Sequence, residues 1–371
     1  MCRKSFGRVL VVLLASLMLI LASGCAGTGG DSEKSNNGSD VDSPVILCAG
    51  FSEYDWARNI IGDNPGGLTL SLLNDSGIDM HSYQPSVADM AKLSNCDLLI
   101  YTGGISEYWI NEATENSEDG EFDILSLMDY FTENPSLFPT YEQDEHDHDH
   151  GHEHEHDVDD ADEHAHEHEA DEHIWLSDKM APVFCEAIAE RISALDPANA
   201  DYYQENLDSY CEELAALDAE FADTVANAKC DVLLFADRYP FTYLMQDYGI
   251  HCHAAFSGCS AETEASFETI IDLAEDLNTD NLSHIVILKG STDELAQTII
   301  KAADQKLKVS LSGITSSAGH MDSSGAWNSD REIDVETLDS LQSVTADDIE
   351  GGLTYIKAMQ QNKEVISECL N

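Results

Sequence analysis

The chain has 371 residues, with 72 Asp and Glu against 17 Lys and Arg and a formal net charge of −55. So acidic a surface repels nucleic acid and anionic lipid and attracts cations, which excludes polyanion-binding functions. The length is enough for two domains.

The N-terminus carries an address. Arg3, Lys4 and Arg8 lead into an apolar run, 9–21, that is too short to span a bilayer comfortably. Small residues follow, so 1–24 reads as a signal peptide. The end of it, Leu21-Ala22-Ser23-Gly24-Cys25, resembles a bacterial lipobox, which makes Cys25 an acylated N-terminus and the mature protein lipid-anchored on the extracytoplasmic face of the cell membrane. Residues 25–43, rich in Gly, Ser and Asn, form a flexible tether. Apart from Cys2 and Cys25, eight cysteines remain, with no CxxC spacing; none is assigned to zinc, and their pairing is not readable.

From 44 to 195 apolar runs alternate with helical patterns. Strand-like runs at 45–50, 68–73, 97–101 and 122–127 are separated by helices over 53–61 and 86–93 and another through Trp109. Alternation of this kind predicts βαβ units and a parallel sheet, with ligands outside the carboxyl ends of the strands. His81 falls in such a loop, and His173 opens the segment that returns to helical periodicity.

Within this half lies an acidic loop, 142–172, holding His146, His148, His150, His152, His154, His156, His164, His166 and His168 between carboxylates, with no Lys or Arg. A tract this polar and like-charged buries no apolar surface and is predicted to be mobile. Alternating imidazoles and carboxylates present ligands to zinc and other divalent ions, so the tract reads as accessory metal capture rather than a solvated linker.

Asp196-Pro197 opens an amphipathic stretch, 196–229, read as one helix of roughly 45 Å that connects two lobes. The second half, 230–371, repeats the alternation. Strands are predicted at 230–235, 250–256 and 284–288, helices at 240–248, 267–277 and 292–303, and a terminal helix at 349–370. No glycine-rich phosphate fingerprint occurs, and neither half has a GxSxG elbow.

Five segments, in order, resemble the metal-binding substrate-binding proteins of bacterial zinc and manganese ABC transporters, of the zinc-specific ZnuA/AdcA type. They are IDMHSYQPS around His81, the His-rich insertion, DEHIWLSD around His173, DPANADYYQENLDSY at the start of the connector, and TLDSLQSV around Asp339. The resemblance covers essentially the mature length. It implies two Rossmann-like α/β lobes joined by one long backbone helix, with one metal ion in the cleft. His81 and His173 match the first-lobe ligands, and Asp339 the acidic ligand of the second. Imidazole nitrogens with a carboxylate suit tetrahedral zinc, although Asp339 also suits a turn-capping role.

The third family ligand is absent, because the His of that motif falls on Ala236 or Arg238. Glu262 and Glu264 in CSAETEAS are the first replacements, followed by His251, His253 and Asp237. The same two glutamates also suit the N-terminus of a helix. The resulting expectation is a monomeric binding protein, not an enzyme, that captures Zn2+ and delivers it to an ABC-transporter permease and its ATPase. Mn2+ or Fe2+ is the alternative cargo, since a carboxylate in place of the third His hardens the site. An extracellular zinc hydrolase and a zinc buffer or surface adhesin are the rival readings.

Overall fold

The computed structural model of the protein describes residues 43–114, 122–141, 171–257, 265–315 and 332–371. The leader, Cys25, the tether, the nine tract histidines, Glu262 and Glu264 lie outside the described residues.

Two four-stranded parallel sheets form the frame. The first contains β1 (Val45–Cys48), β2 (Thr69–Leu72), β3 (Leu98–Tyr101) and β4 (Asp123–Ser126), in the order β2-β1-β3-β4. Its helices are α1 (Phe51–Ile61), α2 (Val87–Leu93), α3 (Tyr108–Thr114), α4 (Leu127–Glu133) and α5 (Ala181–Leu195). The central strand β3 is buried at every position, as its unbroken run of Leu, Ile and Tyr requires.

A 27-residue helix, α6 (Ala200–Ala226), about 40 Å long, leads to the second sheet. It starts later than the sequence suggests, because Pro197–Asn199 forms a 3-10 turn in which the Asp196 carboxylate accepts from Asn199 and Tyr203. Tyr203, Leu207, Tyr210, Leu214, Leu217 and Phe221 recur every three or four positions on its buried face.

The second sheet contains β5 (Val232–Tyr239), β6 (His251–Ser257), β7 (His284–Leu288) and β8 (Asp334–Leu338), in the order β6-β5-β7-β8. Its helices are α7 (Thr242–Tyr248), α8 (Phe267–Thr279), α9 (Glu294–Thr315), α10 (Ala346–Glu350) and α11 (Tyr355–Cys369). Strand β5 continues past the expected end at Phe235 because an irregularity between Phe235 and Arg238 shifts its register against β6. The single terminal helix expected from 349 to 370 is instead two, α10 and α11. Gly351 ends the first, Gly352 takes φ +88°, and Thr354 caps the second.

One apolar core joins the halves. It runs from Ile46, Trp56 and Leu98 through Phe184 on α5 and the buried face of α6 to Phe235, Phe241 and Tyr355. The Trp56 ring stacks on Phe184 and meets Tyr355 edge-on, with centroids 6.1 and 5.2 Å away. Tyr355 N also donates to Asp55 Oδ2 at 2.8 Å, tying α11 to α1. The long helix is therefore embedded in a shared core, not strung between two separate ones.

Candidate metal centre

The carboxyl ends of β2 and β3 carry the first elements of the site. After β2, Asp79 caps a 3-10 turn, Met80–Ser82, by accepting the His81 amide at 2.9 Å. After β3, Gly103 and Gly104 take φ of +88° and +94° and open a second 3-10 turn, Ile105–Glu107. A side chain at Gly104 would come within 2.5 Å of Glu172 Oε2, so both φ and space demand glycine there.

His173 belongs to the segment returning from the acidic loop, which continues into a buried turn, Ile174–Leu176. Its ring is 1% exposed and packs against Trp175, centroids 5.1 Å apart. Nδ1 of His173 lies 2.6 Å from Asp171 Oδ1. Asp171 is fixed in turn from α7, where Thr242 Oγ1 donates to its Oδ2 and Tyr243 OH to its backbone oxygen. Burial pushes the Asp171 carboxyl up, but the neighbouring His173 and these hydrogen bonds outweigh that and bring it below the usual carboxylate range.

His81 is held in a matching way. Ser106 Oγ stands 2.6 Å from its Nδ1 and donates to Glu172 Oε1. Glu172 Oε2 accepts the Ser106 amide at 2.9 Å. With Nδ1 of each ring engaged, Nε2 of each is left as a lone-pair donor. The two Nε2 atoms face each other at 3.4 Å. Two zinc-bound nitrogens on one edge of a tetrahedron are separated by roughly 3.3–3.4 Å, given bonds of 2.0–2.1 Å.

Gln342 completes the arrangement from the other lobe, its Nε2 lying 2.8 Å from His81 Nε2 and 3.3 Å from His173 Nε2. It is placed by the turn after β8, in which Asp339 Oδ1 accepts the Leu341 amide and Leu341 adopts φ +63°. Trp175 Nε1 donates to Ser340 O at 3.0 Å and pins that turn to the first lobe. Burial and the neighbouring His173 lower the His81 pKa, Asp79 and Glu172 pull it back up, and Arg238 lowers it. Arg238 sits at the end of β5 and donates to Asp79 Oδ2 at 2.9 Å, a second tie between the lobes.

Among the described residues, His81, Glu172 and His173 form one group whose ligand atoms all lie within 4.8 Å of one another. The structure thus brings His81 and His173 together but does not bring Asp339 to them. Asp339 Oδ2 instead accepts from Lys289 Nζ at 2.8 Å, while Oδ1 holds the turn. Asp237 is likewise engaged elsewhere, with Oδ1 on the Arg238 amide and Oδ2 on Leu288 N. His253 lies between Asp276 and Asp280, and His251 is exposed on β6. Glu172 and Gln342 stand beside the two rings although the sequence reading did not single them out. Glu172 adjoins His173 in the DEHIWLSD segment, a usable signal; nothing local marks Gln342.

A family model described as ZnuA, zinc-uptake complex component A periplasmic, matches residues 47–369. The zinc-binding lipoprotein AdcA of Streptococcus pneumoniae is 26% identical over 357 residues, covering 96% of this chain. This chain spans only 60% of that relative's length. The high-affinity zinc uptake system protein ZnuA of Bacillus subtilis is 23% identical, with 97% of both chains covered. The solved Zn(II)-bound ZnuA-like domain of S. pneumoniae AdcA shares the fold, with a TM-score of 0.62 at 21% identity over 88% of this chain and 99% of that one. By its sequence from 47 to 369, carried on two parallel sheets, the chain belongs to the zinc-uptake complex component A family.

Proposed function

We propose that this protein is an extracytoplasmic substrate-binding protein that captures a divalent metal ion, zinc foremost, between its lobes and hands it to an ABC-transporter permease. The family is one of uptake components, not of enzymes, and no reaction is assigned to the chain. The observation that carries the reading is the 3.4 Å approach of two buffered imidazole Nε2 atoms, each with its Nδ1 engaged. Two convergent lone pairs in a largely buried setting are unfavourable without a cation or a donor between them. The Gln342 amide supplies that donor when its Nε2 faces the rings; turned by half a rotation, it offers a neutral oxygen to an ion. Glu172 adds a carboxylate and negative charge at the same place.

The leader and Cys25 support lipid anchorage outside the membrane, and the tract histidines support a weaker, faster-exchanging store of ions beside His173. The AdcA and ZnuA relatives, named for zinc, favour that ion. A glutamate beside two imidazoles also suits manganese or iron. Metal content after native purification of a variant lacking 142–170, followed by competition among Zn2+, Mn2+ and Fe2+, tests the assignment. Zinc should be retained against the other two, and preference for manganese would reassign the cargo.

A further inference from the structure

The segment leading to His81 is fastened to the second lobe at successive points. The Ala346 amide donates to Asp75 O at 2.9 Å, and a single antiparallel bridge pairs Ser76 with Thr345. Gly77 follows at φ +75°, and a side chain there would come within 2.7 Å of Thr345 Cγ2, so this close approach needs glycine. Two residues on, Asp79 caps the His81 turn and accepts from Arg238 at 2.9 Å. The opposing strip is 342–346, in which Gln342 reaches the two rings and Thr345 caps α10. One strip thus leads into His81, and the other bears the amide set against it.

The other walls are held more firmly. Ile174, Trp175 and Leu176 beside His173 are buried, and Asp171 is bound by Thr242 and Tyr243. Asn362 exchanges hydrogen bonds of 2.8 Å with both backbone groups of Asp339, which anchors the turn before Gln342. Asp75, Ser76 and Ile78, by contrast, are exposed, as segments that open locally tend to be.

We propose that 75–79 and 342–346 form a clasp over the metal site, and that the ion enters and leaves when these two strips part. The inference rests on the function proposed above and says how that site releases its ion. An ion held between the rings is enclosed, since the His173 side chain is 1% exposed and that of His81 15%. Parting the strips draws His81 away from Gln342 and breaks the ties at Asp75 and Asp79, so the lifetime of the bound ion follows the clasp. Each tie is a single hydrogen bond or ion pair at or near the surface, weak enough to open as a loop opens.

A crosslink tests it. Because the Ala346–Asp75 bond flanks the bridge, Ser76 and Thr345 form a non-hydrogen-bonded pair. The Cα atoms of such pairs lie about 4.5 Å apart, within disulfide reach. Full-length Ser76→Cys/Thr345→Cys is loaded with one equivalent of zinc, oxidised with glutathione disulfide, checked by mass and mixed with a chromophoric chelator, beside the parent treated alike. We expect the zinc-release phase of the parent to be lost in the locked form and restored by a phosphine reductant. Ala346→Pro deletes the amide that reaches Asp75, and proline suits the first position of a helix after an extended Thr345. It should release zinc about fivefold faster, the rate equivalent of one net hydrogen bond. Should the crosslink not form, that rate decides alone. Release from the locked form at the parent's rate, or no acceleration in Ala346→Pro, overturns the clasp. A parent that retains no zinc removes the site proposed above, and the clasp with it.

Discussion

Gln342 Nε2 lies 2.8 Å from His81 Nε2, although 261 residues separate them in sequence. This is a direct contact from one lobe to the imidazole pair of the other, so the site proposed above draws on both lobes. In the proposed site the amide is a neutral group where a charged one would bind a cation more strongly. Gln342→Glu is expected to tighten metal binding by about tenfold or more, and Gln342→Ala to loosen it, in competition with a chelator. Equal affinity in all three proteins would remove Gln342 from the site.

Asp171 holds His173 at Nδ1 and is itself held by Thr242 and Tyr243. Asp171→Asn leaves size and hydrogen bonding nearly intact but removes the charge that fixes the ring and strengthens its donor. Metal affinity should fall by about 10–100-fold with little change in the far-ultraviolet spectrum. Asp339→Asn, by contrast, touches only the Lys289 pair and the turn, and its loss of affinity should be clearly smaller than that of His81→Ala.

Burial and the neighbouring His173 depress the His81 pKa below that of free imidazole. A depressed value means the ring stays neutral, and ready to bind, at a pH where a free imidazole has begun to protonate. Affinity at the tightest site should therefore hold through about pH 6.5, the unperturbed value, and fall only at lower pH. Zinc competition measured from pH 8 to pH 5 checks this; a decline centred at or above 6.5 would contradict it.

Much of the frame was legible before any coordinates. The predicted strand at 284–288 coincides with β7, and 45–50, 68–73 and 97–101 each contain one strand of the first sheet. Apolar runs that short, spaced by helical periodicity, have few other solutions. The division of the terminal helix hinged on Gly351 and Gly352, turn residues the apolar period alone does not weigh. His81 and His173 were readable because imidazoles at strand-end loops are chemically conspicuous. Asp339 was harder: the same carboxylate suits a ligand and a turn, and in the structure it meets Lys289 Nζ and the Leu341 amide. Gln342 was invisible, because an uncharged amide gains its meaning solely from what the fold sets opposite it.

Asp178 offers a test of the interlobe packing that is independent of metal. It is 1% exposed, accepts from Tyr248 OH on α7 and leaves Oδ1 without a partner among the described residues. Burial, with Asp247 and Asp218 nearby, pushes its pKa well above normal. A raised native pKa contributes stability that is present below the unfolded value of about 3.9 and is lost as pH rises through the native one. Asp178→Asn should then stabilise the protein at pH 8 by about 1–3 kcal/mol, and the gain should shrink towards pH 4. A melting-temperature series across that range reads it; destabilisation at pH 8 would contradict the reading.

The central claim is that His81 and His173 form the tight site and the acidic tract only a weaker store. Zinc titration of three proteins by calorimetry tests it most directly: the parent, a variant lacking 142–170, and His81→Ala/His173→Ala. The account predicts that the deletion keeps the tightest binding event and loses the weaker stoichiometry, and that the double substitution does the reverse. Retention of the tightest event in the double substitution would contradict it.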